Sequence, residues 1–187
     1  RKQVVELRNY CELVFPNSKH DLSSCLIERS IDFLDIGGTL AFVSPQNWFF
    51  LGAYKGLRKF LLQEFSWDLI AALGAKSFQT PMYDFSIALT VLSKGKPSPI
   101  HQTTGFNVES CLTPTDKSSA LQEVGAVYVR QAAQLANPDQ RITLEEGSGI
   151  PLLQERAVCL TGAMNGDSGK FIRFFWEFEI RPKEWVN

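Results

Sequence analysis

The stretch from Trp67 to Leu92 reads WDLIAALGAKSFQTPMYDFSIALTVL, and its two apolar runs with the gap between them decide the fold. Trp67–Leu73 and Phe85–Leu92 are short, nearly continuous apolar segments of strand length, the second rich in β-branched residues. The roughly ten residues from Gly74 to Asp84 contain Pro81 and no helical periodicity. A parallel return to the same sheet needs a crossover of a dozen residues or more, so the second strand is expected to run antiparallel to the first.

Upstream, the period changes to that of a helix. Leu22, Cys25, Leu26, Ile27, Ile31, Phe33 and Leu34 recur near helical spacing after Asp21, a good N-cap, and Gly37-Gly38 offers a residue able to take positive φ at the end. A helix over 22–35 is expected, then a strand over Thr39–Ser44, stopped by Pro45 and apolar enough to be buried on both faces of a parallel sheet. Leu51, Tyr54, Leu57, Leu61 and Phe65 mark one face of a second helix, with Lys55, Arg58 and Lys59 on the opposite face. Helix, strand, helix, strand is the rhythm of a doubly wound α/β domain. Residues 1–20 read as a loop or short helix. Past Ser93 the pattern weakens: short strands are expected at Gly105–Val108 and Arg141–Leu144, a helix near Lys117–Val124, a turn at Asn137-Pro138-Asp139, and an aromatic strand at Phe171–Ile180.

Composition excludes several classes. The 187 residues carry a formal net charge of −1 and 44% hydrophobic residues, which suits a folded chain with no global attraction to nucleic acid or anionic lipid. No apolar run is long enough to span a bilayer and no signal peptide opens the chain, so a cytoplasmic location is expected. Cys11, Cys25, Cys111 and Cys159 are too far apart in sequence for a zinc knuckle, and only His20 and His101 could join them; no metal site is expected. The chain starts without Met and in mid-pattern, as a fragment would.

The segment Asp21–Phe50, DLSSCLIERSIDFLDIGGTLAFVSPQNWFF, resembles motifs V and VI of the γ-class adenine-specific DNA methyltransferases, in particular the type IIG restriction-modification enzymes and the methyltransferases of BREX-type phage defence. Asp21-Leu22, Gly37-Gly38, Pro45 and Trp48 carry that likeness. Tyr54–Leu62, Gly74, Phe78 and the 85–92 strand look like motifs VII and VIII. Thr161-Gly162 and Gly166–Glu177 resemble the entry to the target-recognition region. The resemblance implies the C-terminal half of a Rossmann-like class I S-adenosylmethionine-dependent methyltransferase sheet, ending in an antiparallel strand and followed by a smaller mixed α+β segment. It divides the chain into a partial catalytic domain (1–95), a connecting segment (96–150) and the start of target recognition (151–187).

The implied activity is methyl transfer from S-adenosylmethionine to the exocyclic amine of a flipped adenine in double-stranded DNA, without a metal. The family's catalytic Asn/Asp-Pro-Pro-aromatic tetrapeptide, expected before Asp21, and its glycine-containing cofactor motif do not occur here. No catalytic residue is therefore assigned, the cofactor would be held mainly by an upstream part, and the isolated chain is expected to be inactive. Phe78, with Tyr83 as competitor, matches the motif VIII aromatic that stacks on the flipped base; the alternative is a plug that seats the loop on the sheet. Asn47, Lys55, Arg58, Lys59, Lys170 and Arg173 are DNA-contact candidates, set against helix capping for Asn47, solubility for the helix cations and sheet packing around the last two. The competing readings are a non-catalytic DNA-recognition or scaffold piece and, more remotely, an unrelated nucleotide-binding α/β enzyme.

Overall fold

A computed structural model describes residues 4–79, 85–145 and 156–158. The chain divides into two compact units, 1–148 and 149–187, and the described helices and strands all belong to the first. They are α1 (Val5–Val14), α2 (Leu22–Ile31), β1 (Thr39–Pro45), 3₁₀ turns at Gln46–Phe49 and Gly52–Tyr54, α3 (Lys55–Glu64), β2 (Phe65–Gly74), β3 (Ile87–Lys94), β4 (Gln102–Asn107), α4 (Pro114–Glu123), β5 (Val127–Arg130), α5 (Gln131–Ala136) and a 3₁₀ turn at Pro138–Gln140.

The expected cap of α2 is present: the Asp21 carboxylate accepts from Ser23 N at 2.7 Å, and Ser24 Oγ donates to the carbonyls of Ser18 and Asp21. The helix is shorter than its apolar pattern, ending at Ile31. Gly37 does take a positive φ, +81°, yet it serves the entry to β1 rather than the helix end. Its N–H donates to the Lys94 carbonyl, and Lys94 N–H returns to Gly38 O, so the double glycine ties the start of β1 to the end of β3.

The sheet order is β1-β3-β2-β4-β5. As the short Gly74–Phe85 connection requires, β3 is antiparallel to β2; its other side pairs antiparallel with β1, from Thr39↔Ser93 to Pro45↔Ile87. Two expectations are corrected here. β1 is not buried in a parallel sheet but is the outer strand of the described sheet, with an alternating pattern and Val43 half exposed, because β3 occupies the place between β1 and β2. Nor does β3 finish the sheet: β4 adds parallel to β2 and β5 antiparallel to β4. The stretch 96–150 contributes two strands and two helices to the same unit. The sheet is mixed, with one parallel pairing among four. β4 covers part of the expected 105–108 strand and α4 most of the expected helix near 117–124. Residues 141–144 do not form a strand, although Ile142 N–H donates to Phe49 O and Ile142 is buried. The aromatic segment 171–180 lies outside the described residues.

One cluster of rings holds helix and sheet together. Trp48 packs on Phe49, Phe42 and Trp67 at centroid distances of 4.7, 6.2 and 5.8 Å, and Leu57, Leu61, Leu92 and Trp67 are fully buried around it. Burying each such side chain contributes roughly 1.5–3 kcal/mol. Gln131, at the start of α5, crosses this core as a polar tie: its Oε1 accepts from Trp67 N–H, and its Nε2 donates to the carbonyls of Leu62 and Phe65. These groups close the α3–β2 corner, where backbone leaves a helix and enters a strand with unmatched donors and acceptors. Gln131→Leu strands one N–H and two carbonyls in the core; a loss of about 1–3 kcal/mol in urea unfolding is expected.

A satellite core of Cys11, Cys25 and Phe15 joins α1 to α2. Burial pushes the Cys25 thiol up to about 11, against a smaller opposing effect of its hydrogen bond to Ser18. Because the folded chain favours the neutral thiol, this contribution to stability is complete below the ordinary thiol value and is lost as pH rises toward about 11. Cys25→Ala is expected to flatten the fall in thermal midpoint across that alkaline window; an unchanged slope would count against the burial argument.

Candidate functional site

β1, β2 and β4 all point the same way, since β1 and β2 each run antiparallel to β3 and β4 runs parallel to β2. Their C-terminal ends, Pro45, Gly74 and Asn107, therefore share one edge of the sheet, the edge at which α/β folds place ligands. Gln46, Asn47, the loop after Gly74, and Glu109 gather there.

The loop after β2 is set at its base. Gly74 has φ +71°, and a Cβ there would lie 3.0 Å from Glu109 Cα, so both conformation and space call for glycine. Lys76 also lies in the left-handed region at +55°, and Ser77 Oγ donates back to Gly74 O at 2.6 Å. A buried cation completes the support: Lys117 of α4 places Nζ 2.5 Å from Leu73 O and 3.4 Å from Val108 O, joining the ends of β2 and β4. Phe78, four residues beyond Gly74, is 55% exposed. More than half of the residue is open to solvent. Tyr83 lies outside the described residues, as do Lys170 and Arg173.

Asn47 is half-buried at the same edge. It does not cap α3 through its side chain; instead its backbone carbonyl accepts from Phe50 and Leu51 N–H, closing the turn after β1. Trp48 is the packing anchor of that turn, with its indole N–H on Ser44 Oγ at 2.9 Å.

The cationic face expected on α3 is not a single face. Lys55 and Lys59 are exposed, but Arg58 is completely buried and unavailable to phosphate. Its Nη1 donates to Trp48 O and Leu51 O, each at 2.7 Å, its Nη2 to Asp139 O at 2.7 Å, and its Nε to the carbonyls of Asp139 and Gln140. Helical periodicity placed Arg58 opposite the Leu57 side, and misled because the 138–142 segment covers that flank of α3. Asp139 and Gln140 both have positive φ, 53° and 52°, a conformation costly for non-glycine residues and offset by the guanidinium that collects their carbonyls. Lys55 Nζ meets Asp139 Oδ1 at 3.0 Å, and this bond holds the Asp139 carboxyl below its usual range. Burial lowers the Arg58 pKa, while the Asp139 charge works the other way. Lys117 and Gln131 were missed from sequence, since nothing in a lone polar residue on a helix announces the carbonyls it will meet.

Among the described residues no group of three His, Cys, Asp or Glu is placed to hold a metal, and no helix is long and apolar enough to cross a membrane. Arg58→Lys retains charge but not the fork that reaches four carbonyls; a loss of about 2–4 kcal/mol in chemical unfolding is expected, against less than about 0.5 kcal/mol for Lys59→Ala.

Comparison with known proteins bears directly on this arrangement. Residues 2–78 match the model of the Eco57I restriction-modification methylase family. Over 73 residues the chain is 34% identical to the adenine-specific methyltransferase BrxX of Escherichia coli O9:H4 (strain HS), a match covering 39% of this chain and 6% of that protein. Among solved structures, a nuclease-deletion mutant of the type ISP restriction-modification enzyme LlaGI, in complex with a DNA substrate mimic, shares the fold. Its TM-score is 0.51 at 19% identity, over 75% of this chain and 16% of that one. The chain thus spans a small part of the proteins it matches. The resemblance read from Asp21-Leu22, Gly37-Gly38, Pro45 and Trp48 is borne out as a similarity: residues 2–78 are similar to Eco57I-type restriction-modification methylases and part of the chain to an adenine-specific methyltransferase, within an α/β fold with a mixed five-stranded sheet.

Proposed function

We propose that this chain is part of an S-adenosylmethionine-dependent enzyme that methylates the exocyclic amine of adenine in double-stranded DNA, in a restriction-modification or phage-defence system within the cytoplasm. The observation that carries the reading is the exposed ring of Phe78, on a loop braced by Gly74, Ser77 and Lys117 at the C-terminal edge of the sheet, directly after β2 in a segment matching a methylase family. An aromatic held on a firm base beside the strand ends can receive a base swung out of the duplex, and offers it a π-face in exchange for the stacking lost in DNA. Tyr83 is the second candidate for the same role.

S-adenosylmethionine supplies the electrophilic methyl when bound, and residues 1–187 hold neither the family's tetrapeptide nor its glycine motif. The part played by this chain is to form one wall of the base pocket and to stiffen it. Asn47 and the exposed Lys55 and Lys59 are the contacts proposed toward the DNA backbone, together with Lys170 and Arg173; Arg58, being buried, is not. The isolated chain is expected to transfer no methyl group, and incorporation of labelled methyl into DNA by these 187 residues alone would contradict the division of labour. In the full-length protein, Phe78→Ala is expected to remove a stack of roughly 1–3 kcal/mol. The check is the fluorescence of 2-aminopurine at the target position. A base extruded as fully by the Phe78→Ala variant as by the unaltered protein would sink the assignment, and full DNA binding without methylation by the intact parent would favour a recognition piece instead.

A further inference from the structure

A cleft of about 350 Å³ opens beside the strand ends, bounded by the turn after β1, the face of β2, the end of β4 and residues 142–145. That volume is at the lower end of the range typical for small-molecule sites. Phe78 is not among the described residues that line it. Ile70 and Ala72, two apart on β2 and hence on one face of the sheet, give it an apolar side, and Phe50, 48% exposed, contributes an accessible ring.

The polar groups are nearly all acceptors. Gln46 is only 7% exposed; its Nε2 is engaged by Ile87 O, while its Oε1 makes no hydrogen bond and is not one of the sealed polar atoms. That leaves a fixed acceptor facing the cleft. Glu109 and Glu145 add carboxylates at the rim, neither of them ion-paired among the described residues. Asn107 is oriented by accepting from Glu109 N–H at 3.0 Å, which leaves its amide N–H₂ free as a donor. Among the described residues no Lys, Arg or His lines the cleft, so these residues offer a phosphate no partner, and they provide too few ligands for a metal. A flat ring that donates N–H bonds and accepts one matches this pattern.

We propose that the cleft holds an unstacked nucleobase bearing an exocyclic amine, second to the base that is methylated: the ring lies against Phe50, and the amine donates its two N–H bonds, one to Gln46 Oε1 and one to a carboxylate, Glu109 or Glu145. The choice of a nucleobase over other flat amines rests on the DNA-methyltransferase reading; binding in the cleft is measured without any activity. The test is a titration of the whole 187-residue chain, followed by backbone amide resonances, with 2′-deoxycytidine and with 2′-deoxyuridine, in which an oxo group replaces the amine and the N3 acceptor becomes a single N–H donor. Deoxycytidine is expected to shift Phe50, Asn107, Glu109 and Thr143 with millimolar affinity, and deoxyuridine to bind roughly ten-fold more weakly. The double variant Glu109→Gln, Glu145→Gln changes two exposed side chains, so its spectrum reports that it folds; it is expected to abolish most of the preference for the amine. Absence of shifts up to about 10 mM, equal shifts by both nucleosides, or a preference that survives the double variant each overturns the proposal. Shifts confined to the Phe78 loop would also overturn it, while supporting the target-base reading.

Discussion

The position of β3 governs the unit. A strand that pairs antiparallel on both sides, with β1 from Thr39 to Pro45 and with β2 from Phe65 to Gly74, forces those two neighbours to run in the same direction without touching. Their C-terminal ends then emerge on one edge, where the turn carrying Gln46 and Asn47 and the loop carrying Phe78 share a neighbourhood. With β3 outside β2, the β1 turn would lie a strand spacing of about 4.8 Å nearer to β2 and the wedge between the two loops would be narrower. The sheet order is thus also what sets the distance between those two segments.

Around that frame, buried polar side chains satisfy groups that regular backbone pairing cannot reach. Arg58, Lys117 and Gln131 sit in different helices, yet each ends on main-chain carbonyls belonging to other elements. Arg58 joins the turn after β1 to residues 139–140, Lys117 joins the ends of β2 and β4, and Gln131 closes the corner between α3 and β2. Those carbonyls lie where a helix, strand or turn is ending, and leaving one unpaired there would cost more than the side-chain entropy spent in reaching it. The three ties fix the turn after β1, the ends of β2 and β4, and the α3–β2 corner relative to one another.

Much of this was legible from local chemistry. The Asp21 cap, the strands near 67–73 and 85–92 and their antiparallel return follow from interactions or chain lengths confined to a few neighbouring residues, and the structure reproduces them. Phe78 was singled out by its resemblance to the motif VIII aromatic and by its place just past the C-terminal end of a strand. The outer position of β1 was not legible: a short apolar run looks the same whether its neighbours are two strands or one. β5 was hidden, and β4 legible only in its second half, for the opposite reason, since QTTGFN and VYVR are short and only partly apolar, and become strands by pairing with an edge already formed by β2.

By itself, the sequence determined α2, α3 and the strands β1 to β3, the direction of the β2–β3 return, and a resemblance strong enough to point to restriction-modification methylases, because each depends on side chains close together along the chain. Only the tertiary structure decided that Arg58 is a buried clasp rather than a phosphate contact, and that Gln46, Asn107, Glu109 and Glu145 line one cleft. The physical reason is sequence distance: the carbonyls of Asp139 and Gln140 that capture Arg58 come 81 and 82 residues later, and a helical period records which way a side chain points but not what will be waiting there.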